Sequence, residues 1–293
     1  MKKIKDRDTA RRVSVNTIIC NLLLTFFKLF AGLFSHSVAM ISDAVHSASD
    51  VLSTIVVLIG VNLAGKSSDE AHQYGHERFE CVAAILLSVM LALTGLSIGS
   101  SGVKTVLSEH SKIIVPGTFA LIAAVISIIA KELMFRYTAS AAKKTNSGAL
   151  MADAWHHRSD ALSSIGSFIG ILGAKIGFPM LDPLASVIIC VFVLKAATEI
   201  FIDAIGKMTD RAASSETVQK IREITLLDEG VIMIDDLKTR KFGDKIYIDL
   251  EISVDGSIPL FEAHEIAHRV HDSIEENIPF VKHCMVHVNP AAP

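Results

Sequence analysis

Two nine-residue segments carry the residue types best suited to chemistry: SDAVHSASD at 42–50 and ADAWHHRSD at 152–160. Both contain Asp-Ala-x-His-x-x-Ser-Asp, and both sit inside apolar stretches. Asp43, His46 and Asp50 share one face if the stretch is helical, and so do Asp153, His156 and Asp160. Ionisable groups at membrane depth are costly unless paired, hydrated or metal-bound, so each motif reads as a functional site by default. Two helices that each offer an imidazole and a carboxylate at i, i+4 supply a four-ligand nitrogen and oxygen set. That set, His46, Asp50, His156 and Asp160, suits a tetrahedral divalent ion such as zinc. Asp43 and Asp153 share the face one turn nearer the helix starts. They read as partners that orient the histidines, with direct ligation the alternative. His157 and Arg158 fall on other faces and read as bystanders.

The elements that must position these residues are membrane helices. Hydrophobic residues make up 51% of the chain and aromatics only 6%, and the mean hydropathy is +0.46. That balance excludes an ordinary soluble enzyme. Six stretches are long enough to span ~30 Å of hydrocarbon: 13–34, 38–64, 80–106, 114–138, 146–175 and 182–207. The basic start, MKKIKDRDTARR, precedes an apolar run with no small-residue cleavage site, and reads as a retained helix. Lys and Arg concentrate in the N-terminal segment and after the second, fourth and sixth helices, while the opposite loops hold few. The positive-inside rule therefore places both termini in the cytoplasm of a multi-pass inner-membrane protein.

The character changes after Asp210. Residues 215–227 have helical periodicity, with Ser214 or Ser215 as N-cap. Residues 231–240 and 245–254 read as strands around the turn Phe242-Gly243-Asp244. Residues 259–277 read as a helix and 281–288 as a strand. The expected architecture is thus an all-α membrane domain of six helices at 1–210, followed by an αββαβ cytoplasmic α/β domain at 211–293. So small a domain would gain from dimerisation or bound metal.

With both motifs on helices of a chain whose two ends are cytoplasmic, the sequence resembles the cation diffusion facilitator family. The resemblance spans essentially the whole chain. It rests on SDAVHSASD, on YGHERFE at 74–80, on NSGALMADAWHHRSD at 146–160 and on the αββαβ tail. It implies a homodimeric exporter of divalent metal, with protons as the counter-ion, and a tail of metallochaperone-like (ferredoxin-like) fold. By position, the transport site would be His46, Asp50, His156 and Asp160. A second site between helices two and three would be Asp69, His72 and His76, whose spacings would also suit one helical face. Metal sites in the tail would fall among Asp235, Asp249, His264 and His287. There the chain departs from histidine-rich versions: aspartates stand at two of those positions, and Asn289 replaces an acid. Zinc is the expected cargo and a candidate regulatory ligand of the tail, with iron(II), manganese, cobalt, nickel and cadmium as alternatives.

Two other classes compete. His264-Glu265-Ile266-Ala267-His268 fits the H-E-x-x-H pattern of zinc peptidases, but that chemistry needs a third ligand and a cleft, so no enzyme is expected. A metal sensor that does not transport is the other. The four cysteines lie far apart with no C-x-x-C, which argues against a disulfide framework or a thiolate site. No Walker motif supports ATP-driven pumping. No basic groove interleaved with aromatics suggests nucleic-acid binding.

Overall fold

The structure is a computed structural model that describes residues 2–34, 38–107, 118–175 and 181–291. The chain divides into two compact units, Met1–Ala204 and Ile205–Pro293.

Among the described residues, six long helices open the chain: α1 (Lys2–Phe34), α2 (Val38–Ala64), α3 (Arg78–Leu107), α4 (Thr118–Thr145), α5 (Gly148–Lys175) and α6 (Leu181–Met208). The first begins well before the expected position 13, because its charged start continues the helix instead of preceding it. The fourth runs past the expected 138, so Lys143 and Lys144 lie in its last turn and not in a loop. Its expected start at 114–117 lies outside the described residues, as do most of the loops expected near 34–38, 106–113 and 175–181.

Polarity in this unit is reversed relative to a water-soluble bundle. Ser14, Thr17, Asn21, Lys28, Thr54 and Lys131 are buried, whereas Leu23, Phe26, Phe30, Leu93, Leu133 and Val191 are each more than half exposed. Water would not tolerate that outer surface, but hydrocarbon would. Asp8–Phe30 and Arg78–Lys104 are long and apolar enough to cross a membrane on composition alone. The motif-bearing helices α2 and α5 place Asp50, Asp153, His156, His157 and Asp160 inside the bundle.

Small residues let the helices approach closely. A Cβ on Gly60 of α2 would come within 2.5 Å of the Ala83 Cβ on α3, and one on Gly99 of α3 within 2.5 Å of Cys190 Sγ on α6. The α4–α5 connection is a tight hairpin. Asn146 adopts φ 55°, the Ser147 N–H donates to the Ala142 carbonyl, and the Ser147 hydroxyl accepts from the Leu150 N–H at 3.2 Å. One left-handed residue thus ends α4, and a serine caps α5. Lys131 and Asp160 lie nearly equidistant from Asn146 along the two antiparallel helices, which brings them side by side.

The second unit holds α7 (Ser215–Thr225), β1 (Met233–Phe242), β2 (Lys245–Val254), α8 (Leu260–Asn277) and β3 (Val281–Pro290). Ser214 caps α7, its hydroxyl accepting from the Thr217 N–H at 3.2 Å. β1 and β2 form an antiparallel hairpin through Gly243-Asp244, where Gly243 takes φ 63°. β3 returns parallel to β2 after the α8 crossover, giving the order β1-β2-β3. Ile248, Leu250 and Ile252 of β2 meet Ala263, Ile266, Val270 and Ile274 of α8 in one apolar core. The result is a small mixed sheet with helices packed upon it. β1 starts two residues later than expected, next to a register shift between Ile234 and Asp236.

Candidate metal centre

α2 and α5 bring Asp50, His156 and Asp160 together, with one ligand atom from each lying within 4.8 Å of the others. All three are buried, at 1%, 7% and 7% exposure. His156 Nε2 lies 3.3 Å from Asp50 Oδ1. The side chains of His46 and Asp43 lie outside the described residues.

Sequence reasoning missed the fourth member of this cluster. Lys131 of α4 is 2% exposed, and its Nζ donates to Asp50 Oδ2 at 2.6 Å and to Asp160 Oδ2 at 2.9 Å. A single ammonium therefore bridges the carboxylates of both motif helices. The signal was a lone lysine in the middle of the apolar run IAAVISIIAKELMF, where an unpaired charge has no place. It carries no local motif, because its partners lie 81 and 29 residues away.

Asp153 and His157 depart from their expected roles. Asp153 Oδ1 accepts from the Thr54 hydroxyl of α2 at 3.0 Å, and its Oδ2 lies 3.5 Å from His157 Nε2. Asp153 thus faces His157, its own i+4 neighbour, and not the His156 it was expected to orient. Both residues are 0% exposed. Arg158 lies with its guanidinium 4.4 Å from the centre of the Phe135 ring, a cation–π contact between α5 and α4.

Asp69, His72 and His76 form a second group within the same 4.8 Å limit, but not on a helix face. The segment between α2 and α3 is a turn. The His72 N–H donates to Asp69 Oδ1 at 2.7 Å, the Gly75 N–H donates to the His72 carbonyl, and Gly75 adopts φ 96°. The turn sets His76 Nε2 3.3 Å from Asp69 Oδ2. The other ring nitrogen of His76, Nδ1, lies 3.1 Å from the Ser67 carbonyl, the second partner that commonly orients a ligating imidazole. The His72 backbone N–H is the main cause holding the Asp69 carboxyl below its ordinary range. Asp69 and His72 are exposed, and His76 is buried.

Among the described residues, Asp235, Asp249, His264 and His287 form no cluster of ligand atoms. Asp235 accepts from the Ser253 hydroxyl through both oxygens, at 2.9 and 2.8 Å, and from Asn289 Nδ2 at 2.9 Å. Its position next to the β1 register shift turns it toward these hydroxyl and amide donors. Asp249 pairs in register with Met285, and His287 with Glu251. His264 lies on the exposed face of α8, away from the apolar stripe that meets the sheet. Nor does His264-Glu265-Ile266-Ala267-His268 form a peptidase site: His268 pairs with Asp272 of the same helix at 3.0 Å, and no third ligand joins the two histidines among the described residues.

Residues 15–208 match the cation efflux transmembrane domain, and residues 213–291 match the cytoplasmic domain of cation efflux proteins. The chain belongs to the cation diffusion facilitator family of membrane metal transporters. It is 36% identical to an uncharacterized transporter, MJ0449, of Methanocaldococcus jannaschii, over 93% of this chain and 95% of the relative. It is 31% identical to the magnetosome protein MamB of Magnetospira sp., over 92% of each. The manganese efflux system protein MneP of Bacillus subtilis is 30% identical, over 96% of each. A solved C-terminal domain of MamM aligns with 27% of this chain and 100% of that domain, at 28% identity and a TM-score of 0.26. The chain is a divalent-metal transporter and not an enzyme.

Proposed function

We propose that this protein exports divalent metal, zinc foremost, from the cytoplasm in exchange for protons. The observation that carries this reading is the buried Asp50–His156–Asp160 group, drawn from two different helices of a bundle with an apolar exterior. His46 completes the set by its i, i+4 spacing to Asp50, which matches that of His156 to Asp160. Two imidazoles and two carboxylates favour zinc, cadmium or cobalt over manganese, which prefers more oxygen ligands.

In this mechanism the ion enters from the cytoplasm, and the two motif helices close behind it. Protons arriving from the far side compete it off the same ligands, because imidazole and carboxylate bind metal only when deprotonated. The loop group Asp69, His72 and His76 is a second metal site at the membrane surface. The remaining parts of the proposal are six membrane crossings with both ends cytoplasmic, a domain division near Asp210 and a homodimer joined through the tail. Metal bound to the tail would bias the transport states only by its difference in affinity between them.

Manganese is the second reading, favoured by the likeness to MneP. Uptake of zinc and manganese in competition by everted vesicles, with an imposed pH gradient, separates the two. Zinc preference with gradient-dependent uptake is the expected result. Outright manganese preference would displace zinc as the cargo, and binding without flux would make the protein a sensor.

A further inference from the structure

The lysine between the two aspartates has a role that ligand chemistry alone does not give it. Asp50 and Asp160 are buried like charges brought together from α2 and α5, and such a pair needs a cation. Lys131 supplies one, its Nζ at 2.6 Å from Asp50 Oδ2 and 2.9 Å from Asp160 Oδ2. Those two carboxylates are also the oxygen ligands of the metal group. An ammonium and a divalent ion that use the same carboxylates exclude each other at contact distance. The ammonium brings one charge on a flexible four-carbon stem, so it neutralises the pair less completely than a divalent ion and has reach to move aside.

We propose that Lys131 is a tethered competitor of the transported ion: it neutralises Asp50 and Asp160 between cargoes, and each ion must displace it to bind. This rests on the reading of Asp50, His156 and Asp160 as the transport site, and adds to it a residue that tunes affinity without being a ligand. The lysine weakens binding of every divalent ion by the same factor, because its competition depends on charge and not on ligand preference. It also aids release, since the ammonium returns to the carboxylates as the ion leaves.

The test is equilibrium binding of Zn2+, Cd2+ and Mn2+ to the purified full-length protein in wild type, Lys131→Met and Lys131→Gln, with flux measured in proteoliposomes. Removing the competitor should tighten binding of all three ions by roughly ten- to hundredfold. The ratios among their dissociation constants should stay within about threefold of wild type. KM and maximal flux should both fall. Lys131→Gln keeps a polar side chain at the position and serves if Lys131→Met does not yield a monodisperse protein. Lys131→Arg, which retains the charge, should bind the ions within about an order of magnitude of wild type. Unchanged or weaker binding in both neutral variants would overturn the proposal, as would a changed order of preference among the ions, which would mean that Lys131 shapes the ligand cage. Asp50→Ala and Asp160→Ala keep the two readings apart. If these abolish binding while the neutral lysine variants bind like wild type, only the competitor role fails. If these bind like wild type, the transport site itself fails.

Discussion

At the scale of single residues, the candidate site was legible where its members repeat and illegible where they do not. Asp50, His156 and Asp160 stand in two copies of one pattern, so helical spacing alone places them on matching faces. Lys131 belongs to no pattern, and its importance comes wholly from carboxylates on two other helices. The burial of His157 was not legible for a related reason: spacing says which face a residue occupies, but not that this face is packed against other helices. Asp160→Ala removes an oxygen ligand and leaves Lys131 with Asp50 as its remaining bridged partner, so transport should fall to background while the protein still inserts. Flux measured at matched expression checks this. Asp69→Ala removes the residue that both loop histidines approach. It should abolish metal binding at the loop and leave binding at the buried site intact, as counted by the stoichiometry of bound Cd2+ in detergent.

At the scale of elements, hydrophobic run length and period locate the described helices and strands but do not fix their ends. α1 starts early because Lys, Arg and Asp are tolerated on a solvated helix, so polarity there does not mark an end. The segment holding Asp69, His72 and His76 reads as a loop between the second and third helices, and hydrogen bonds around Asp69 and the positive φ of Gly75 fold it as a turn. Packing of α2 on α3 depends on Gly60. Gly60→Ala should cost about 1–3 kcal/mol through overpacking against Ala83. Adding Ala83→Gly should recover part of that loss, read as the melting temperature in detergent. In the tail, Asp228 accepts from Arg269 Nε and Nη2 at 2.8 and 3.0 Å, tying α8 to the turn after α7. The Arg269 hydrogen bonds are the main cause of the lowered Asp228 value. A lowered value means that the pair stabilises the fold above the ordinary carboxylate range and loses this as pH falls through the lowered value. Arg269 is largely exposed, so water screens the pair and its contribution is modest. Asp228→Asn should therefore raise proteolytic sensitivity of α8 slightly at pH 7, with the difference from wild type vanishing on acidification below the carboxylate range.

At the scale of the whole molecule, two units of opposite character meet the two tasks of a metal exporter. The first buries Asp50, Lys131, Asp153 and Asp160 and turns leucine, phenylalanine and valine outward, as a membrane demands; the second builds an ordinary apolar core between a three-stranded sheet and α8. Hydropathy changes abruptly near Asp210, and the compact units divide between Ala204 and Ile205. Whether the tail's aspartates and histidines converge was not visible, since such residues on strands and helix faces look alike either way. Removing 211–293 should weaken self-association and lower flux while leaving the buried site able to bind metal, checked by analytical ultracentrifugation and equilibrium binding of the truncated protein. The central claim is that metal leaves the cytoplasm through Asp50, His156 and Asp160 at the expense of a proton gradient. Its most direct test is zinc uptake into proteoliposomes of wild type and Asp160→Ala, with and without an imposed pH gradient, while lumenal pH is recorded. The account predicts uptake by the wild type that accelerates with the gradient, counter-movement of protons, and neither in the variant. Zinc uptake by Asp160→Ala at the wild-type rate, or wild-type uptake with no accompanying proton movement, would contradict it.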